Sequence, residues 1–177
     1  MRHRLDALEV DIDVQSAGFT TTGRAANRKV VRALERLDIP LVDHQSRLAT
    51  PEMIDKALIV IGMTRKHVRD VVKLRSAAVE KTFTLKELVT RAEEKGGLGD
   101  DESAPDWIKR IHDGREPEEH LGAGSDTDIE DPIGRSTRFF QNTVTEIDDQ
   151  IKKLIPLWWP ELAVEPEPGP KPQSDKL

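Results

Sequence analysis

Four short blocks carry the side chains that could do chemistry. They are Gln15-Ser16-Ala17-Gly18, His44-Gln45-Ser46-Arg47, Ile59-Val60-Ile61-Gly62-Met63-Thr64-Arg65-Lys66-His67 and Ile129-Glu130-Asp131-Pro132-Ile133-Gly134. Asp131 stands before Pro132, which stiffens the turn that would present its carboxyl. An Asp-Pro pair taken alone also marks an ordinary turn. Ser16 is either a functional hydroxyl or a turn-former before Gly18. His44 is either a functional imidazole or a surface-loop histidine. The histidines His3, His44, His67, His112 and His120 show no ligand spacing such as His-x(3)-His, which argues against a metal hydrolase. No cysteine occurs in the 177 residues. Disulfides, thiolate metal sites and a thiol nucleophile are therefore excluded within them.

These blocks sit between segments with clear periodicity. Arg2 to Leu8 has helical propensity. From Glu9 to Ser16 the chain alternates, with Val10, Ile12 and Val14 on one side, which predicts a strand with one buried face. Ala25 to Arg36 has apolar residues at helical spacing. Thr50-Pro51 opens a short helix, with Thr as N-cap. Ala57 to Ile61 is a continuous apolar run of the kind found in parallel strands buried on both faces. Thr64 caps the next helix. Lys81 to Thr84 reads as a strand, and Thr84 to Glu87 as a capping box that opens a helix to about Glu94. Pro105 begins a short helix ending near Gly114, between polar loops. From about Ser136, the positions Phe140, Val144, Ile147, Ile151, Leu154 and Trp158 keep one helical stripe. Alternation of strands and helices predicts an α/β fold with a short parallel sheet and helices on both faces.

Hydrophobic residues make up 36% and charged residues 34%, which suits one domain with one core. The net charge of -6 argues against nucleic acid as a partner. Its distribution is uneven: Met1 to Arg36 is rich in Arg, and Glu93 to Asp131 is acidic. Both read as solvated surface. No run approaches the roughly 20 apolar residues of a membrane span, and no apolar signal core follows Met1, so no membrane is expected and a cytoplasmic location is. The tail, residues 160–177, is rich in Pro, Glu and Lys and is expected to be disordered.

In order and spacing, the four blocks resemble the low-molecular-weight protein-tyrosine phosphatases. That family has a strand ending in Ser-Ala-Gly, a Gly-His-x-Ser-Arg-like turn, a strand ending in Met-x-x-x-His and a late Asp-Pro loop. The resemblance covers about Arg2 to Leu157. It implies a three-layer sandwich, hydrolysis of phosphate monoesters, no cofactor, and a phosphorylated protein or small phosphoester as partner. Asp131 matches the general acid. Ser16 and His44 match residues that hydrogen-bond to the phosphate loop and hold its shape. His67 and Met63 match a structural strand–helix junction, and Arg47 is expected to anchor the turn.

Departures from the family accompany the resemblance. The family nucleophile is a cysteine in a Cys-x(5)-Arg-Ser loop after the first strand, and no such loop stands in this sequence. The expectation is a phosphatase domain over residues 1–159 whose first strand is missing and whose N-terminus is truncated, inactive as it stands. Unpaired inner edges would also make it poorly stable. The alternative is a non-catalytic interaction protein on the phosphatase scaffold. Arsenate reduction on a related fold also needs cysteines. After Asp-Pro the family often carries an aromatic, whereas this chain has Ile133 and Gly134. Phe19 is the one aromatic of the loop from Phe19 to Gly23. The insert at about 93–128 is longer than the family needs and reads as a rim, a lid or a surface insertion.

Overall fold

Residues 1–41, 44–122 and 126–162 are described by a computed structural model, without the side chains of Glu119 and His120. Among the described residues, eight α-helices and two strands follow in the order α1 (Arg2–Ala7), α2 (Arg28–Glu35), α3 (Pro51–Lys56), β1 (Val60–Gly62), α4 (Arg65–Leu74), β2 (Thr82–Thr84), α5 (Leu85–Lys95), α6 (Ala104–His112), α7 (Pro117–Leu121) and α8 (Thr137–Trp158). Short 3-10 turns form at Ser76–Lys81 and Pro160–Leu162. The helix starts are set locally. The side chains of Asn27, Thr50, Thr64, Ser103 and Ser136 each accept a backbone N–H of the first turn. Thr84 and Glu87 form the expected capping box. Such caps are worth about 1 kcal/mol each.

β1 and β2 pair in parallel, with Val60, Ile61 and Gly62 opposite Thr82, Phe83 and Thr84. Successive strand residues face opposite sides. Val60 packs with Ile54 of α3 and Val71 of α4. Ile61 and Phe83 face the other way, into the main core of Leu85, Leu88, Leu154 and Trp158. Helices therefore cover both faces, and the α/β sandwich with a short parallel sheet is the fold. The first strand is shorter and later than the run Ala57 to Ile61 suggests. Leu58 is 41% exposed, and the carbonyl of Ala57 is taken by Lys81 Nζ at 2.6 Å.

The segment from Val10 to Ser16 is not a strand. Val10 and Val14 are half-buried against the main core, as alternation requires, but Ile12 is 38% exposed. Alternation decides which side chains face inward. A strand also needs a neighbour to take its backbone bonds, and none runs beside this segment among the described residues. Its backbone N–H bonds stay local, such as Val10 N–H to Leu5 O at 2.9 Å and Ile12 N–H to Val10 O at 3.1 Å, while the carbonyls of Val14 and Ser16 accept from the side chains of Arg2 and Arg47 and not from a neighbouring strand.

The segment 93–128 is more than a surface insertion. α6 contributes Trp107, Ile108 and Ile111 to the core, and Trp107 is fully buried. Its indole N–H donates to Gly96 O at 3.1 Å. Trp107 lies 5.0 Å from Trp158, which stacks on Trp159 at 5.4 Å, so all three tryptophans form one cluster. Arg115, just after α6, is buried and holds the loop to the capping box of α5. The expected disordered tail lies outside the described residues, apart from the turn at Pro160–Leu162. No helix is long and apolar enough to cross a membrane among the described residues.

Candidate active site

The exit of β1 is where the functional blocks meet. Thr64 turns the chain from Gly62 and Met63 into α4 and caps it. His67, in the first turn of α4, folds back so that its Nδ1 accepts the Met63 N–H at 3.3 Å. Gly62 leaves room for this, because a Cβ there would come within 3.0 Å of His67 Cβ. An acceptor Nδ1 requires the neutral ring to carry its proton on Nε2. Burial pushes the His67 pKa below its usual value, and the neighbouring Lys66 adds to this. Asp70, Asp128 and Asp131 pull the other way without prevailing.

Met63 also receives the acid-loop candidate. Its carbonyl accepts the Ile129 N–H at 2.7 Å. Beside it, Asp128 Oδ1 accepts the Arg65 N–H at 2.7 Å, and Lys86 Nζ donates to Asp128 O at 3.0 Å. The Arg65 guanidinium reaches Asp126 at 2.7 Å and Thr127 at 3.2 Å. The segment 126–129 is thus pinned to both α4 and α5. Asp131 stands just beyond it and is exposed. Its Oδ1 accepts the Ile133 N–H at 2.9 Å, an Asx turn that holds the carboxyl at the loop tip.

The two earlier blocks are joined to each other. Gly18 bridges Leu48 in parallel, with Gly18 N–H to Arg47 O at 2.9 Å and Ala49 N–H to Gly18 O at 2.8 Å. Arg47 Nε donates to Ser16 O at 2.7 Å, so Arg47 does anchor the turn. Ala25 bridges Gln45, and Ser46 N–H donates to Arg24 O at 2.8 Å. The Phe19 ring then stacks on His67, with centroids 6.2 Å apart and planes 20° from parallel. This stack ties the Ser16 and His44 loops to the end of β1 that receives Ile129.

The three predicted site side chains are brought to neighbouring loops but do not touch one another. Ser16 is held through its carbonyl, and neither its hydroxyl nor the exposed His44 ring makes a hydrogen bond among the described residues. Two surface clefts, one along α8 and one lined by Glu80, Asp106 and His112, contain none of the three. His67, expected as a structural strand–helix junction, forms that junction and also joins the loops through Phe19. The available signal was its position three residues after the N-cap of α4, next to a strand end. Chemically, the loops offer an exposed carboxyl and a neutral imidazole. They offer no thiol, since the chain has no cysteine.

The chain matches the profile described as "Low molecular weight phosphotyrosine protein phosphatase" over residues 1–103. It is 26% identical over 146 residues to a protein-arginine-phosphatase of Bacillus subtilis, spanning 82% of this chain and 75% of that protein. Solved structures similar to it include an arginine phosphatase from Geobacillus stearothermophilus, at 26% identity and a TM-score of 0.60, covering 85% of this chain and 77% of that one. A low molecular weight protein tyrosine phosphatase from T. tengcongensis is also 26% identical, with a TM-score of 0.62 over 86% and 82% of the two chains. Since the profile spans 103 of 177 residues, the chain belongs to the low molecular weight phosphotyrosine protein phosphatase family.

Proposed function

We propose that this chain is the frame of a pocket that hydrolyses phosphorylated side chains or small phosphoesters, and that its 177 residues do not turn over substrate alone. In this reading Asp131 protonates the leaving atom, while Ser16 and His44 brace a phosphate-binding loop. The observation that carries it is the bond from Ile129 N–H to Met63 O, which hangs the Asp131 loop on the end of β1. Thiolate chemistry at a phosphoryl group needs a cysteine, backbone N–H groups and an arginine in one loop. The cysteine is absent from these residues. Phosphoarginine is a substrate candidate beside phosphotyrosine. The exposed residue after Asp-Pro is Ile133, not an aromatic, and two relatives named above are arginine phosphatases.

A fusion that places a strand and a Cys-x(5)-Arg-Ser loop ahead of Met1 tests this. The chain alone should release p-nitrophenol from its phosphate ester at the background rate. The fusion should hydrolyse that ester or phosphoarginine, and its Cys→Ser form should not. A fusion that folds cooperatively yet stays inactive on both would remove the reading. The missing thiol favours a second reading, a non-catalytic interaction protein on this scaffold. An in-frame Cys-containing extension in the codons before Met1 would argue against it.

A further inference from the structure

The arginines of this chain fall into two groups. Most reach a carboxylate or a carbonyl oxygen, as Arg47, Arg65, Arg69, Arg75 and Arg110 do. By contrast, Arg24, Arg28, Arg32, Arg36 and Arg138 are exposed, and their guanidinium groups have no hydrogen bond or ion pair among the described residues. Arg28, Arg32 and Arg36 are spaced four apart along α2 and its C-cap, which puts them on one side of the helix. The opposite side is apolar, with Ala33 buried and Val30 and Leu34 half-buried.

This arrangement is unfavourable in the first turn of the helix that carries it, although Arg32 and Arg36 suit its C-terminal end. Like charges four residues apart repel. Arg28 and Lys29 also stand in the first turn, where the helix end is already partly positive, and that turn holds no acidic residue. The chain as a whole has a net charge of -6, so the cluster runs against its general balance. A merely solvated face gains nothing from these repulsions.

The stripe is also well placed. Arg24 is bonded through its backbone to Ser46, beside the His44 turn. Lys29 Nζ donates to Arg135 O at 3.0 Å and lies 5.3 Å from the Phe140 ring centroid. The N-terminal end of the stripe therefore borders both the 44–47 turn and the segment that follows Asp131.

We propose that the arginine side of α2, with Arg24, docks an anionic segment of a partner protein, rich in Asp, Glu or phosphorylated side chains. A row of guanidinium forks suits carboxylates and phosphates, which each accept two parallel N–H bonds. A polypeptide fits better than nucleic acid, because α2 offers no aromatic side chain on which a base would stack. That the segment is thereby delivered to the Asp131 loop rests on the proposed function. The docking itself does not.

Fluorescence anisotropy of a labelled oligoglutamate peptide tests the proposal on the full chain. The unaltered chain should bind the peptide, and binding should weaken as salt is raised. Arg28→Gln/Arg32→Gln/Arg36→Gln should bind at least about tenfold more weakly. Lys56→Gln/Lys109→Gln/Lys153→Gln, which removes the same charge from exposed lysines elsewhere, should bind as the unaltered chain does. A circular-dichroism melt should show the arginine triple variant folded, with a midpoint near that of the parent, since it loses the repulsions together with the favourable charges at the C-terminal end of α2. No binding at low salt, equal loss in the lysine variant, or unchanged binding in the arginine variant each overturns the proposal. So does displacement of the peptide by a lower concentration of oligothymidylate, or loss of self-association as the variant's only effect. Peptide binding alongside an inactive fusion would leave docking intact and remove the catalytic reading alone.

Discussion

Arg115 and Glu87 form a buried ion pair at 2.8 Å, between the loop after α6 and the capping box of α5. The Arg115 side chain is fully buried. Its guanidinium also donates to Val79 O at 3.1 Å and Thr82 O at 3.0 Å, and it lies 4.2 Å from the Phe83 ring centroid. One side chain thus ties a loop, a 3-10 turn, a strand and a helix start together. Removing one member of such a pair strands the other charge in the core. Arg115→Met should lower stability by about 3–5 kcal/mol. Urea unfolding measures this, and adding Glu87→Leu to Arg115→Met should recover part of the loss.

Asp148 of α8 joins the first helix to the last. Its carboxylate accepts from Arg4 Nη2 at 2.6 Å and pairs with Lys152 at 2.9 Å. Burial alone would raise its pKa, but the bonds from Arg4 and Lys152 outweigh burial and hold it below the ordinary value. The unfolded chain therefore takes up this proton at a higher pH than the folded one. The pair's contribution is complete above about pH 4 and is lost as pH falls through the native pKa. Asp148→Asn should remove that part of the acid sensitivity, and melting temperatures between pH 3 and pH 6 would show it.

His67 titrates in the opposite sense. The fold favours the neutral ring, through burial and through the Met63 N–H that Nδ1 accepts. Below about pH 6.5 the unfolded chain gains a proton that the native ring resists, so stability should fall as pH drops. His67→Asn keeps an acceptor near Met63 and should flatten part of this slope. His112 should leave a residual slope, because burial and Arg115 also hold its pKa down. Nitrogen NMR of the imidazole should find the proton on Nε2. Its protonation should speed hydrogen exchange at Met63.

Asp131 can be tested only where a nucleophile is present. In the Cys-loop fusion, Asp131→Asn should slow turnover of poor leaving groups by about 10²- to 10⁴-fold, with little change for good ones. A uniform rate across both classes would remove Asp131 from its acid role.

The sequence made the local rules of this fold legible and left the long-range ones hidden. Thr50, Thr64 and Thr84 announce helix starts because a cap acts within three residues. Phe140, Ile151, Leu154 and Trp158 mark the buried side of α8 because helical periodicity persists over its whole length. The stretch Val10 to Ser16 was misleading for the same reason: its alternation is local, but a strand depends on a neighbour. Trp107 sits in an acidic, Gly-containing region and still fills the core, since its indole N–H finds Gly96 O across eleven residues. For the candidate site, the order of the blocks marks the stretches of Ser16, His44 and Asp131, and none of these side chains lines either surface cleft. The Phe19–His67 stack that links those loops has no sequence signature. Neither does the lack of partners for Arg28, Arg32 and Arg36 among the described residues, because pairing is a property of three dimensions.

The tryptophan cluster has an optical consequence. There is no tyrosine, and the three indoles gather where α6 meets the end of α8. Intrinsic emission excited in the far red edge of the ultraviolet band therefore reports on that joint alone. Opening of α2 would be silent in that emission but not in circular dichroism, so a fluorescence midpoint and a circular-dichroism midpoint that disagree would locate which half lets go first.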